Sequence, residues 1–247
     1  MEKAVVFRAW QCPVERKIAV AIPAGWKSRA GSEGCKNAGR TWGGVSAISK
    51  PGDLPMPTAS LARRKPIITS LGGPFYRVYR ATHKSPMFFG KTLNYRFDSA
   101  RGDCGVLYAA PSLEGAFVET FMQELGRTSV SLKELQERPV ALIHANRPLR
   151  FVDLHAKGGQ MRLGLDGRIC TGSYTVAQTW SDALRDHPEK PDGILFPSRH
   201  ELSVPSCAIF EHAGKELTWK RWGSLDEAAH ASELATLLKL GELGLDP

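Results

Sequence analysis

The sequence predicts an α+β fold of mixed and antiparallel sheets with flanking helices, and three observations carry that expectation. Strand-like runs and helical-period runs are intermixed along the 247-residue chain, without the βαβ alternation of a parallel doubly wound sheet. Hydrophobic residues make up 42%, enough for a sizeable core. The periodic segments lie beyond Met56, whereas residues 1–55 sustain no period of either kind.

The first 55 residues scatter Gly, Pro, Lys and Arg among Gly-Gly, Pro-Gly and Ser-Glu-Gly punctuators. They read as a poorly ordered basic extension with at most a short strand near 17–22. A second option is that translation starts at Met56. The formal net charge of +8 is also local. Residues 1–70 carry 12 Lys/Arg against 4 Asp/Glu, and residues 71–247 carry 21 against 21. Residues 71–247 therefore have no global electrostatic footprint for DNA or RNA. Five dispersed cysteines without C-x-x-C fit a reducing cytoplasm better than a disulfide framework or a zinc site. No run reaches the roughly 18 apolar residues that a membrane span needs.

From Pro66 onward the elements follow in order. Phe75-Tyr-Arg-Val-Tyr79 is a strand from which Arg77 projects. A loop from Thr82 to Gly90 leads to the β-like run Leu93-Asn-Tyr-Arg-Phe-Asp98 and a Gly-rich turn. Val106 to Ala109 reads as a buried strand ending beside Tyr108, and a Pro-Ser turn then opens a helix capped by Ser112. Leu113, Ala116, Phe117 and Phe121 share one face of that helix, and Glu119 lies beside the stripe. The spacing predicts a short helix over 128–137 capped by Ser129 or Ser131, then strands at 140–144 and 149–154. A loop with a helical turn near 161–165 precedes a helix over 174–184. Asp192 to His200 reads as a strand ending in a polar cluster. Residues 207–210 and 217–219 read as a hairpin across Ala213-Gly214, and Ser224-x-x-Glu227 as the capping box of a last helix.

The chain has no Gly-rich phosphate loop, no G-x-S-x-G elbow and no H-E-x-x-H, and its histidines are scattered. What remains is Tyr108, Glu119 and Ser198 on rigid elements, and two arginines in aromatic runs, Arg77 and Arg96. Burying a guanidinium costs several kcal/mol unless it is paired. Each arginine is therefore a fork for pyrophosphate or carboxylate, or else the partner of a core acid such as Asp98 or Asp153. Alone, a helical glutamate such as Glu119 is ordinarily a solvated charge. Arg199 and His200 adjoin Ser198 and read first as residues that hold the turn.

These blocks together resemble the RES domain family. The resemblance is carried by Phe75-Tyr-Arg-Val, Arg96-Phe-Asp98, Gly105-Val-Leu-Tyr-Ala-Ala-Pro-Ser-x-x-Gly-Ala-Phe-Val-Glu119 and Asp192-Gly-Ile-Leu-Phe-Pro-Ser-Arg-His200, in that order across about 70–215. Phe196 stands where the family often has tyrosine. The likeness implies a catalytic domain over 56–247 with an ADP-ribosyltransferase-like fold. It further implies a toxin that consumes NAD⁺ by phosphorolysis or hydrolysis of the nicotinamide–ribose bond, with no resident cofactor and with phosphate as a possible co-substrate. The partner implied is an Xre-type helix-turn-helix antitoxin. Carried onto this chain, the likeness implies that Glu119, Arg77 and Ser198 are catalytic and that Arg77, Arg96, Tyr108 and Ser198 hold NAD⁺. Two alternatives remain: mono-ADP-ribosylation of a specific protein, and a non-enzymatic nucleic-acid or regulatory binder working through the basic N-terminus.

Overall fold

The computed structural model describes residues 54–247, so the expected strand near 17–22 lies outside the described residues. Leu54 and Pro55, which the sequence assigns to the extension, belong to the domain. Leu54 is buried in the core, and the Pro55 carbonyl accepts a hydrogen bond from Trp180 Nε1 at 2.9 Å.

In chain order the strands and helices are β1 (Ile68–Leu71), β2 (Phe75–Val78), β3 (Val106–Ala109), α1 (Leu113–Phe121), β4 (Ser129–Ser131), α2 (Leu132–Gln136), β5 (Val140–Ala145) and β6 (Leu149–Asp153). Then come α3 (Gly159–Leu163), α4 (Arg168–Thr171), α5 (Tyr174–Arg185), β7 (Gly193–Pro197), β8 (Pro205–Phe210), β9 (Leu217–Gly223), α6 (Ala231–Leu240) and β10 (Gly244–Asp246). A five-stranded sheet runs β1-β6-β7-β8-β3, antiparallel except for the parallel pair β6–β7. A three-stranded antiparallel sheet runs β2-β5-β9, and β4 and β10 form a parallel pair. The architecture is α+β, as the intermixed pattern predicts.

Strand alternation sorts the core into layers. Val106, Val152, Ile194, Phe196, Ala208 and Phe210 project from one face of the large sheet. They pack with the buried stripe of α5, including Val176, Ala177, Trp180 and Leu184. The opposite face, with Leu107, Phe151, Leu195 and Ile209, shares a cluster with Phe75, Ile143 and Leu217 of the small sheet. Behind the small sheet, Tyr76, Val78 and Val140 meet Phe117 and Phe121 of α1, Leu135 of α2, and Leu234 and Leu237 of α6. Each such apolar side chain, fully buried, contributes about 1.5–3 kcal/mol.

Several sequence expectations are corrected. Residues 93–98 form turns rather than a strand, because the Tyr95 N–H is taken by Asp98 Oδ2 at 3.1 Å instead of a sheet partner. Residues 129–131 are strand β4, and only 132–136 are helical. Ser131 is the cap there, with Glu134 completing its capping box. Residues 207–210 and 217–219 are not a hairpin, since β8 joins the large sheet and β9 the small one across a 3-10 turn at 211–216. Glu227 does reach back to the Ser224 N–H, but the Ser224 hydroxyl donates to the Leu135 carbonyl at 2.6 Å, and α6 begins only at Ala231. No helix among the described residues is long and apolar enough to cross a membrane.

Candidate functional site

The β3–turn–α1 unit forms as its residues dictate. Ser112 is extended (φ −132°, ψ 156°), and its hydroxyl accepts from the Gly115 N–H at 3.1 Å. Gly115 lets α1 lie close to the turn that precedes β8. A Cβ there would stand 2.8 Å from Ala110 Cβ and 3.0 Å from the Pro205 carbonyl oxygen. Glu119 follows Gly115 by four residues and so shares its face of α1. Its charge acts on Cys170 of α4 and on His200 in the turn before β8. Half-buried, the Glu119 side chain has no hydrogen bond or ion pair among the described residues.

Arg96 is buried in the turn before β3. Its Nη1 donates to the carbonyls of Gly172 at 2.8 Å and Ile169 at 3.4 Å, and its Cζ lies 4.5 Å from the Tyr174 ring centroid. Burial lowers its pKa, against the opposing pull of Tyr174 and Cys170, and Arg199 adds a like charge nearby. Burial pushes the Cys170 thiol up to about 12 while Arg96 and Glu119 act on it with opposite signs. That thiol is neutral and sits within reach of both charges.

Arg77 projects from β2 on the same face as the fully buried Phe75. Its Nη1 donates to the Phe88 carbonyl at 3.4 Å, and burial lowers it to about 10 against the opposing influence of Tyr95. Neither Arg77 nor Arg96 has a carboxylate partner among the described residues. The core acids available to them are engaged elsewhere. Asp153 accepts from the Thr69 hydroxyl and the N–H groups of His155 and Ala156. Asp98 accepts from the Tyr95 N–H and the Tyr108 hydroxyl.

Tyr108 is locked by its polar end, its hydroxyl accepting from the Phe97 N–H at 2.9 Å and donating to Asp98 Oδ1 at 3.1 Å. Burial first, and then the Asp98 charge, raise its phenol well above the usual value. Its ring alone is left to offer, and it packs against Tyr95 with centroids 5.3 Å apart. Ser198, at the end of β7, is completely buried. Its hydroxyl accepts from the His200 N–H at 3.2 Å, and its own N–H donates to the Val204 carbonyl. In this conformation it positions the turn carrying Arg199 and His200. The two are joined, Arg199 Nε donating to His200 Nε2 at 3.1 Å. Burial lowers the His200 pKa, with Glu119 opposing and Arg199 assisting.

The five predicted residues make no hydrogen bond or ion pair with one another. The Tyr95 ring packs against Tyr108 and Arg96 lies over the Tyr174 ring, while the Tyr95 phenol acts electrostatically on Arg77 and the Glu119 charge on Cys170 and His200. Neither Tyr174 nor Tyr95 is among the site residues that the sequence singles out. The signal for Tyr95 was its place inside the same aromatic run as Arg96. A groove of about 630 Å³ between α1 and α6, lined by Leu113, Glu114, Glu233 and Leu237 among others, contains none of these residues. Among the described residues no group of three or more His, Cys, Asp or Glu side chains is placed to hold a metal ion.

Fold and site together define an α+β protein in which, among the described residues, Arg77 and Arg96 have no carboxylate partner and the Glu119 side chain of α1 has no hydrogen bond or ion pair. Residues 74–222 match the RES domain, and the chain belongs to that family. Among curated proteins it is 36% identical over 101 residues to "Probable toxin y4kH" of Sinorhizobium fredii, an overlap of 40% of this chain and 78% of that protein. Among solved structures it is similar to a chain of the M. tuberculosis MbcT–MbcA toxin–antitoxin complex at 17% identity and a TM-score of 0.49, covering 66% of this chain and 92% of that one.

Proposed function

We propose that this site binds NAD⁺ and cleaves its nicotinamide–ribose bond, and that the protein is the toxin of a toxin–antitoxin pair. The observation that carries the reading is the state of Arg77 and Arg96. Burial lowers the pKa of both; Arg77 is oriented by the Phe88 carbonyl, and Arg96 by the Gly172 and Ile169 carbonyls and the Tyr174 ring, and none of these groups neutralises the charge. A desolvated guanidinium without a counter-charge is costly, and a pyrophosphate supplies one. Membership of the RES family and the toxin name of the Sinorhizobium relative support the same conclusion.

In this reading the C1′–N bond breaks with its electron pair leaving on neutral nicotinamide, and the ribose passes through an oxocarbenium-like state. Glu119 offsets the developing positive charge and accepts a hydrogen bond from a ribose hydroxyl. Arg77 and Arg96 hold the pyrophosphate, and the Tyr108 ring packs against the nicotinamide. Ser198 holds the Arg199–His200 turn against that ribose. An oxygen of phosphate or water then bonds C1′, its proton passing to solvent. The partner would be an Xre-type antitoxin that covers the site.

Incubation with NAD⁺, with and without phosphate, tests the reading. Release of nicotinamide together with ADP-ribose or its 1″-phosphate is the expected result. Labelling of a protein by the ADP-ribose group would redirect it to transfer, and unchanged NAD⁺ would overturn it.

A further inference from the structure

Tyr95 has no place in the reading so far, yet its setting is unusual for an exposed residue. The residue is 56% exposed while its backbone is fastened at both ends. The N–H donates to Asp98 Oδ2 at 3.1 Å, and the carbonyl accepts from the buried Gln178 Nε2 at 3.0 Å. Its ring rests on Tyr108 with centroids 5.3 Å apart and planes tilted by 47°, and Tyr108 is itself pinned by Phe97 and Asp98. Arg96 is the next residue in the chain, and the phenol lies within the electrostatic reach of Arg77.

An aromatic held in this way loses little further freedom on contact with a ligand, which is why tyrosine serves well at binding surfaces. Aromatic faces also stack flat heteroaromatic rings whatever their identity. An exposed ring seated on Tyr108, whose phenol acts on the Arg77 charge and which Arg96 follows in the chain, has the chemistry to take a planar ring joined to phosphates. We propose that Tyr95 is the platform on which a heteroaromatic ring of the nucleotide stacks while Arg77 and Arg96 hold its phosphates. This inference rests on the NAD⁺ reading above.

The test uses the full chain carrying Tyr95→Leu, Tyr95→Ala or Tyr95→Phe, with steady-state kinetics on NAD⁺ and on nicotinamide mononucleotide. Stacking predicts that KM for NAD⁺ rises about tenfold or more in the Leu and Ala proteins with a much smaller change in kcat, and that Phe restores the parent values. Leucine keeps apolar area against Tyr108 but presents no ring face, so a packing role is rescued by leucine and a stacking role is not. The mononucleotide lacks adenine. A loss shared by both substrates places nicotinamide on Tyr95, a loss confined to NAD⁺ places adenine there, and either result supports the proposal. A Tyr95→Leu protein equal to the parent on both substrates overturns this inference alone. A parent that neither releases nicotinamide nor binds NAD⁺ in calorimetry overturns the NAD⁺ reading and this inference with it.

Discussion

Glu119→Gln separates chemistry from folding more cleanly than any other change at the site. The carboxylate is half-buried, and among the described residues it has no hydrogen bond or ion pair to lose. Glutamine keeps its shape and orphans no partner, so stability should stay within about 0.5 kcal/mol. For a domain of this size that is a shift of about 1–2 °C in the unfolding midpoint. Removing one preorganised electrostatic group costs about 10²–10³ in kcat, equivalent to about 2.7–4 kcal/mol of transition-state stabilisation. KM should change little if, as proposed, the arginines carry ground-state binding. Initial rates of nicotinamide release from NAD⁺, read beside thermal unfolding, give both quantities. Turnover retained within about threefold would refute the role assigned to Glu119. A large drop in unfolding midpoint would show instead that the side chain holds the fold.

Arg77→Met should lower turnover at least tenfold yet raise the unfolding midpoint, because it removes a desolvated cation that has no carboxylate partner among the described residues. Calorimetric unfolding and NAD⁺ kinetics on the same preparation check both signs. Tyr174→Ala should raise KM for NAD⁺ several-fold by freeing Arg96 from the ring 4.5 Å away, a contact worth about 0.5–2 kcal/mol, and Tyr174→Phe should restore it. Arg147→Ala tests a structural pair away from the site. Burial would raise the Asp192 carboxyl, but Arg147 at 2.7 and 2.8 Å and the Arg150 N–H outweigh burial and hold it below its ordinary 3.8. A depressed carboxyl contributes stability above its unfolded-state value and loses it as pH falls through the folded-state value. The variant should therefore be about 1.5–3 kcal/mol less stable at pH 7, with the gap to the parent closing below pH 3.8 in denaturant titrations.

The parts of the fold that were legible in the sequence are those specified locally. Ser112 caps α1, and alternation across 106–109 sorts Tyr108 to the α5 side of the sheet and Leu107 to the other. What was not legible depends on distant partners. Residues 93–98 look like a strand, but Asp98 and Gln178 take the backbone groups of Tyr95 that a sheet would have used. The Ala213-Gly214 turn signal is real, yet the strands beside it diverge into two sheets because β8 finds β7 and β5 finds β9. At the site, the five residue types could be named from their runs, but whether Arg77 and Arg96 pair with a core acid could not. Asp98 and Asp153 were both available in sequence, and only the three-dimensional arrangement commits them to Tyr108, Thr69 and backbone N–H groups. The complete burial of Ser198 was equally hidden, since it follows from the closure of the turn by Val204 and His200.

Elsewhere in the domain two buried acids have an arginine partner. Asp192 has Arg147, Asp182 has Arg185, and the Arg101 N–H also reaches Asp182. By contrast Arg77 is oriented by the Phe88 carbonyl, and Arg96 by two carbonyls and the Tyr174 face, groups that fix direction while leaving the charge in place. Arg96 and Glu119 would cancel one another if they met as a salt bridge. Each instead acts on the neutral Cys170 thiol, and neither has found a carboxylate or a cation as a direct partner among the described residues. Separated charges of opposite sign are poor stabilisers of a folded chain, and a ligand that is anionic at one end and develops positive charge at the other is what satisfies both. A dinucleotide whose glycosidic bond is breaking has that distribution, its pyrophosphate negative and its ribose turning cationic as nicotinamide leaves. In the proposed reading the arrangement favours the transition state of that cleavage over its substrate, because the positive charge moves from the nicotinamide ring onto the ribose, where Glu119 offsets it, only as the bond opens.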